Sequence, residues 1–429
     1  MLNEQTIRLI QSTVPVLEQR GQAITRRFYE LLFAEHPELL NVFNHAHQKM
    51  GRQQAALANA VYAAALHIDK LETILPAVRQ IAHKHRSLGV KAEHYPIVGQ
   101  TLLAAIKDVL GEAASEEVLA AWAEAYGVIA CAFIGVEAGM YREAEEQAGG
   151  WAGFRPFKVT AKVRETEAIT SFYLMPADGG ALAAFEPGQY VSVKMALPGD
   201  AFTHIRQYSL SDAPGRPYYR ITVKREDAVD DRPAGRVSTY LHERVAVGDE
   251  LQLSAPAGAF TLDRQAAAVK PVVLISGGVG QTPLVSMLAA LAEDRTQQAV
   301  TFIHAAHNGR LHALRRQVEE LAGALPRGAA FWCYEQPTEQ DRADGSFDKA
   351  GRIDLAWLAS VLEDNQASFY LCGPEPFMRA TFGFLREWGV AESDIHYEFF
   401  GPTGSLAASP TAGADEEAGL ASGRAGRRA

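Results

Sequence analysis

Cysteine is scarce: three occur in 429 residues, Cys131, Cys333 and Cys372, and no two stand at C-x-x-C spacing. That excludes a disulfide framework and a cysteine-ligated zinc or iron–sulfur centre, and points to reduced thiols in the cytoplasm. Positive charge is short too. Asp and Glu outnumber Lys and Arg by 51 to 41, and basic clusters are few, so a surface that tracks nucleic-acid phosphates is not expected. Long apolar runs are missing as well: MLNEQTIRLI is charged too early for a secretory signal, and Val128 to Val136 falls far short of a membrane span. A soluble chain of roughly three domains remains.

What is present falls into three patterns. Up to about residue 148, apolar residues recur at helical spacing, as in Ile7, Ile10, Val14, Leu17 and Leu102, Leu103, Ile106, Leu110. Gly21, Pro37, Gly51, Pro76, Gly89, Pro96 and Gly111 break this all-α third into several short helices. After Gly149-Gly150 the period becomes two: Phe157, Val159, Ala161, Val163; Val191, Val193, Met195; Tyr219, Ile221, Val223; Leu251, Leu253. Such half-buried antiparallel strands, parted by Gly/Pro loops, predict a small β-barrel over about 151–265. Apolar strands then alternate with helical stretches from Val272 to Phe400, which predicts an α/β parallel sheet over 266–402. The tail 403–429, rich in Ala, Gly and Ser, is expected to be disordered.

In PVVLISGGVGQTP, residues 271–283, a buried strand runs into glycines and then a helix. Thr282 stands at the expected N-cap and Pro283 at the first helical position. Glycines admit a pyrophosphate to the backbone, and free helical N–H groups attract it. Alone this is equally well a turn with no ligand. A second loop, Leu371-Cys372-Gly373-Pro374, follows another strand, and the two together mark a dinucleotide crevice at the carboxyl ends of parallel strands.

These motifs, with Arg206-Gln207-Tyr208-Ser209 and Gly235-Arg236-Val237-Ser238-Thr239 before them, resemble the ferredoxin–NADP reductase superfamily in order and spacing over about residues 155–402. The resemblance implies FAD bound by Tyr190, Arg206, Gln207, Tyr208, Ser209, Gly235, Val237, Ser238 and Thr239. Phe399, Phe400, Gly401 and Pro402 would lie beside the ring. Arg206 would neutralise the pyrophosphate and Tyr208 stack on the isoalloxazine. NADH or NADPH would be bound by Gly278, Val279, Gly280, Gln281, Thr282, Pro283, Cys372, Gly373 and Pro374. Arg310, Arg315 and Arg316 are candidate readers of a 2′-phosphate or else a solvated helix face.

In the helical third, His85 has Ile81 and Leu88 on its own face, while His83, His67, His45 and His47 compete for any ligand role. Its company decides. Tyr29, PELLNVFN at 37–44, Gln53 with Leu57 four residues on, KHRSLGV at 84–90, Tyr95 and Glu137 together resemble the bacterial flavohaemoglobins, nitric oxide dioxygenases in which a globin is fused to such a reductase. The resemblance implies a haem globin domain over 1–148 and haem b, with His85 as the proximal iron ligand. Phe43, Gln53 and Leu57 would line the pocket beside Tyr29, the distal hydrogen-bond donor, with Tyr95 and Glu137 behind the imidazole. Lys84 and Glu398 fall where that family tunes its redox centres. NAD(P)H would reduce FAD, FAD would reduce the haem iron one electron at a time, and nitric oxide would leave as nitrate. Other readings are an oxygen-binding or gas-sensing globin and a general NAD(P)H-dependent haem and flavin reductase. The expected partners are dioxygen, nitric oxide and NAD(P)H, and a monomer is expected.

Overall fold

The computed structural model describes residues 2–43, 52–70, 73, 75–229 and 233–400. His45, His47, Gly51, Gly401, Pro402 and the tail lie outside the described residues. Among the described residues of the first third stand the helices α1 Glu4–Ser12, α2 Val14–Glu35, α3 Arg52–Leu66, α4 Leu75–Leu88, α5 His94–Leu110 and α6 Glu116–Glu146. Asn3 caps α1 by accepting from Thr6 N, and Ser115 caps α6 ahead of two acidic residues that favour a helix N-terminus. Their apolar faces enclose a core around Ile10, Ile24, Phe28, Leu32, Ile106 and Trp122.

One of the proposed breaks is not a break. Gly21 lies inside α2, where Ala58 of α3 stands 3.6 Å from where its Cβ would be. Pro76 and Pro96 do mark breaks: they sit in the first turns of α4 and α5, just past the interruptions that follow α3 and α4, where no backbone N–H is required of them. The break that sequence reading missed falls at Thr13, before Pro15.

Six strands build the middle third: β1 Phe154–Arg164, β2 Ile169–Pro176, β3 Tyr190–Met195, β4 His204–Ser209, β5 Tyr219–Lys224 and β6 Glu250–Ser254. They pair antiparallel in the order β4-β3-β6-β1-β2-β5. The sheet curls round so that its edge strands meet at a bridge between Leu210 and Ile221, which closes the barrel. Its core holds Phe157, Phe172, Val191, Val193, Ile221 and Leu253.

The last third is a parallel sheet, β10-β9-β8-β7-β11-β12, from β7 Val272–Gly277, β8 Val300–Ala306, β9 Gly328–Tyr334, β10 Lys349–Ala350, β11 Ser368–Cys372 and β12 Ile395–Glu398. From β7 the chain first builds outward one way, then returns to lay β11 on the other side. The crevice between β7 and β11 is therefore the point where strand order reverses, where such sheets bind ligands.

Among the described helices, α6 alone is long and apolar enough to cross a bilayer. The helix thus runs well beyond the short apolar stretch read from sequence. Trp122 and Ala125 on α6 belong to the helical core, and Glu137 is 3 % exposed and hydrogen-bonded there.

Candidate functional site

Three helices converge on His85. It sits in the last turn of α4, whose end is closed by Val90 N donating to His85 O at 3.0 Å. Its Nδ1 lies 2.8 Å from Glu137 Oε1 on α6 and 3.3 Å from Tyr95 OH on α5, while Tyr95 OH donates to the same Glu137 oxygen at 2.7 Å. A carboxyl bonded to Nδ1 fixes the tautomer with the proton on that nitrogen and leaves Nε2 basic. Tyr126 OH donates to Tyr95 O at 2.7 Å, which ties α6 to α5, and Phe133 lies 5.8 Å from the His85 ring. Burial first, then Glu137, raises the Tyr95 phenol far above its ordinary range, so it acts as a donor at any working pH.

On the other side, Tyr29 is buried on α2, its ring stacked on Phe33 at 5.7 Å and edge-on to Phe43 at 5.9 Å. Gln53 and Leu57 share a face of α3, and Gln53 Oε1 is buried with no hydrogen-bond partner among the described residues. An apolar aromatic wall with an unsatisfied amide oxygen fits a pocket that holds a bound group. A lone imidazole such as His85, with its other ring nitrogen held by a carboxyl, fits an iron whose remaining ligands a porphyrin supplies. Phe33 and Phe133 were not read from the sequence; they are two more apolar residues in helices full of them.

His83 is otherwise engaged. Its Nδ1 accepts from Gly258 N at 3.3 Å, in the seam between helices and barrel. Burial, chiefly, pushes its pKa down to about 4. Beside it Arg86, 8 % exposed, reaches the carbonyls of Ala255 and Pro256. Asn41 makes a second tie, accepting from Thr203 N at 2.8 Å. These docking residues carry no sequence signal, because each acts on backbone atoms far away in the chain.

On the barrel, Arg206, Gln207, Tyr208 and Ser209 lie along β4 opposite Val193, Ser192, Val191 and Tyr190. Arg206 is half-buried, and no carboxylate is within ion-pair distance of it among the described residues; burial lowers its pKa. A cation left in that state fits an anionic ligand. Gly235 precedes the helix Arg236–Glu243, where Val237 and Ser238 are buried and Thr239 Oγ1 is buried without a partner in the first turn. Free N–H groups, an open hydroxyl and a helix N-terminus fit phosphate. Tyr190 is buried, Phe399 lies 5.7 Å from Tyr397, and Phe400 is exposed beyond the end of β12.

The glycine loop has a different start from the one read in sequence. The helix after β7 begins at Gln281 with Gly280 as N-cap, and Thr282 Oγ1 donates back to Val279 O at 3.1 Å instead of capping. Only a glycine at 280 lets the two loops touch: a Cβ there would lie 2.3 Å from Cys372 O and 2.6 Å from Gly373 N. Pro374 caps the helix Glu375–Glu387, and Gln281 Oε1 is buried without a partner. Two helix N-termini thus open on one crevice, a cradle that fits a dinucleotide. Arg315 bonds Glu319, Tyr334 and Ser346, and Arg316 pairs with Glu320 on the exposed helix face, whereas Arg310 is exposed.

Glu398 pairs with Cys372 across β11 and β12, and Lys84 of α4 and Tyr190 of β3 interact with it electrostatically, so all three domains meet there. Burial pushes the Glu398 carboxyl up to about 8 against the opposing pull of Lys84. Because the folded chain holds this proton more tightly than the unfolded one, its contribution to stability is whole below the ordinary carboxylate range and is lost as pH rises to about 8. Thermal melts of the cofactor-free chain from pH 5 to 8 should therefore fall more steeply than those of Glu398→Gln; parallel slopes would refute this.

The globin family matches residues 26–133, and the family described as an oxidoreductase NAD-binding domain matches residues 274–382. The chain is 56 % identical to a flavohemoprotein of Bacillus thuringiensis over 406 residues, 95 % of this chain and 100 % of that one. It is 52 % identical to the flavohemoprotein of Bacillus subtilis over 409 residues, again 95 % and 100 %. A flavohemoglobin of Malassezia yamatoensis, solved with FAD and haem bound, superposes with a TM-score of 0.82 at 30 % identity, over 93 % of this chain and 100 % of that one. The FAD/NAD-binding domain of a nitric oxide dioxygenase from Vibrio cholerae covers 58 % of this chain and 99 % of its own at 39 % identity and a TM-score of 0.52.

Proposed function

This chain belongs to the flavohemoprotein family, and from that premise we propose that it is a nitric oxide dioxygenase, which oxidises NADH or NADPH and converts nitric oxide and dioxygen to nitrate. The observation that carries the proposal is the buried Glu137 carboxyl bonded to His85 Nδ1, in a chain that also carries a flavin and nicotinamide reductase. An oxygen store has no use for an electron-rich axial imidazole or for rapid re-reduction. When bound, haem supplies the oxygen-activating iron and FAD divides a nicotinamide hydride into single electrons.

The residues then take these parts. His85 Nε2 holds the iron, with Glu137 and Tyr95 fixing the ring. Tyr29 donates from an apolar wall to a small ligand, and Phe43, Gln53 and Leu57 shape that wall. Arg206 and the helix N-terminus at Gly235 hold the FAD phosphates, and Tyr190, Tyr208 and Ser209 hold its ring. The nicotinamide dinucleotide lies across the two loops at Gly280 and Gly373. Domain limits of 1–148, 151–265 and 266–402 fit this division. A cytoplasmic monomer completes the proposal, which light scattering of the purified chain tests.

Steady-state NADH oxidation in air should rise sharply when nitric oxide is added, with nitrate as product; negligible stimulation would defeat the proposal. Tyr29→Phe should keep its haem yet release dioxygen about tenfold or more faster, the loss of one strong buried hydrogen bond. An unchanged dissociation rate in flash photolysis would remove Tyr29 from its part.

A further inference from the structure

Two serine hydroxyls meet where α4 docks on the barrel. Ser87 and Ser192 are both 0 % exposed, although they belong to different domains. Ser192 Oγ donates to Ser87 Oγ at 3.0 Å, Ser87 Oγ donates to Lys84 O at 2.9 Å, and Gln207 Nε2 donates to Ser192 Oγ at 3.2 Å. The donors thus run in one direction, from an amide in the flavin-motif strand to the carbonyl just before His85. Ser192 and Gln207 are direct cross-strand partners, and Ser254 Oγ accepts from Ser192 N at 2.9 Å.

In a dry seam such a chain tolerates no slippage. Sliding the helix by one residue along β3 would strand hydroxyls and an amide in a place that water does not reach, at about 1–3 kcal/mol for each. Aligned hydroxyls also polarise one another, so losing one member weakens the rest. The neighbouring ties, Arg86 and His83, hold the domains together but touch no residue of the flavin motif in β4.

We propose that Ser87 and Ser192 are positioning residues that lock Gln207 and its strand in register with the helix bearing His85, and thereby set the rate of single-electron transfer from the reduced flavin to the ferric haem iron. This rests on the functional proposal above. The pair carries no charge, and it acts through Gln207 on one side and the backbone of Lys84 on the other.

The test uses full-length Ser87→Ala, Ser192→Ala, the double variant and Ser192→Cys, loaded with haem and FAD and mixed anaerobically with NADH. Flavin bleaching should stay within about twofold of the unaltered chain. Haem reduction should slow about tenfold in each alanine variant and hardly further in the double, with Ser192→Cys between, because one hydrogen-bonded unit is broken once. In the cofactor-free chain, amide protection over residues 84–88 and 190–193 should fall about tenfold in either single variant and no further in the double. Haem reduction within about twofold of the unaltered chain, multiplying losses in the double, or flavin bleaching slowed in parallel would each overturn the proposal. Should the unaltered chain bleach its flavin and never reduce its haem, the functional proposal itself would fall.

Discussion

His85→Ala, purified after porphyrin supplementation, is expected to lack the Soret band while its flavin still bleaches with NADH. The imidazole is the one described side chain that presents a free ring nitrogen backed by a buried carboxyl. Its removal takes away the axial bond and also leaves Glu137 with Tyr95 alone, an under-satisfied buried acceptor that costs about 1–3 kcal/mol. Haem affinity should fall by about a hundredfold or more, since even loss of a residue bonded to a metal ligand costs about 10–100-fold. Flavin chemistry is spared because the barrel and the parallel sheet hold their own cores. Absorption spectra and the rate of flavin bleaching check both halves. A variant that kept a five-coordinate histidyl spectrum would name another ligand; His83 is held away from that part while its Nδ1 accepts from Gly258 N in the closed seam.

Gly280→Ala should abolish efficient hydride delivery without altering the haem. The added methyl meets Cys372 O at 2.3 Å and Gly373 N at 2.6 Å, which are backbone atoms at the end of β11 and in the loop after it, not the ends of flexible side chains. Something must shift, and overpacking of this kind costs about 1–3 kcal/mol. Parting the loops by even about 1 Å misplaces the dinucleotide, an error that costs about a hundredfold in rate. NADH-driven flavin reduction should drop accordingly, while dithionite still reduces both centres. Normal reduction by NADH would show that the loops need not touch.

Much of this was legible in the chain itself, for reasons that differ by region. Motifs in which residues near in sequence serve one ligand, such as Arg206 to Ser209 and the loop ending at Gly280, read directly. So did strands with one buried face. β2 did not, because Phe172 and Leu174 fill the barrel while Ile169 packs into the core of the parallel sheet, and a strand buried on both sides loses its alternation. The helix start at Gln281 was misplaced by two residues, since Thr282 looks like a cap and instead bonds backward. Glu137 was legible only through the resemblance, which put it behind His85; nothing in its own residue type sets it apart from other helix carboxylates, and α6 brings it to 2.8 Å from His85 Nδ1. Arg86 and Ser87 stood inside a quoted motif, yet their docking role and that of Ser192 went unread, as their partners across the seam lie a hundred or more positions away.

Arg86 has a consequence for how the family can diverge. Its guanidinium grips two peptide oxygens, at Ala255 and Pro256, and asks nothing of the groups those residues carry outward. A clamp addressed to the main chain is blind to spelling. The barrel segment it holds is free to drift in composition over evolutionary time while the docking of one unit on the other persists, provided the loop keeps its path and an arginine stays in place.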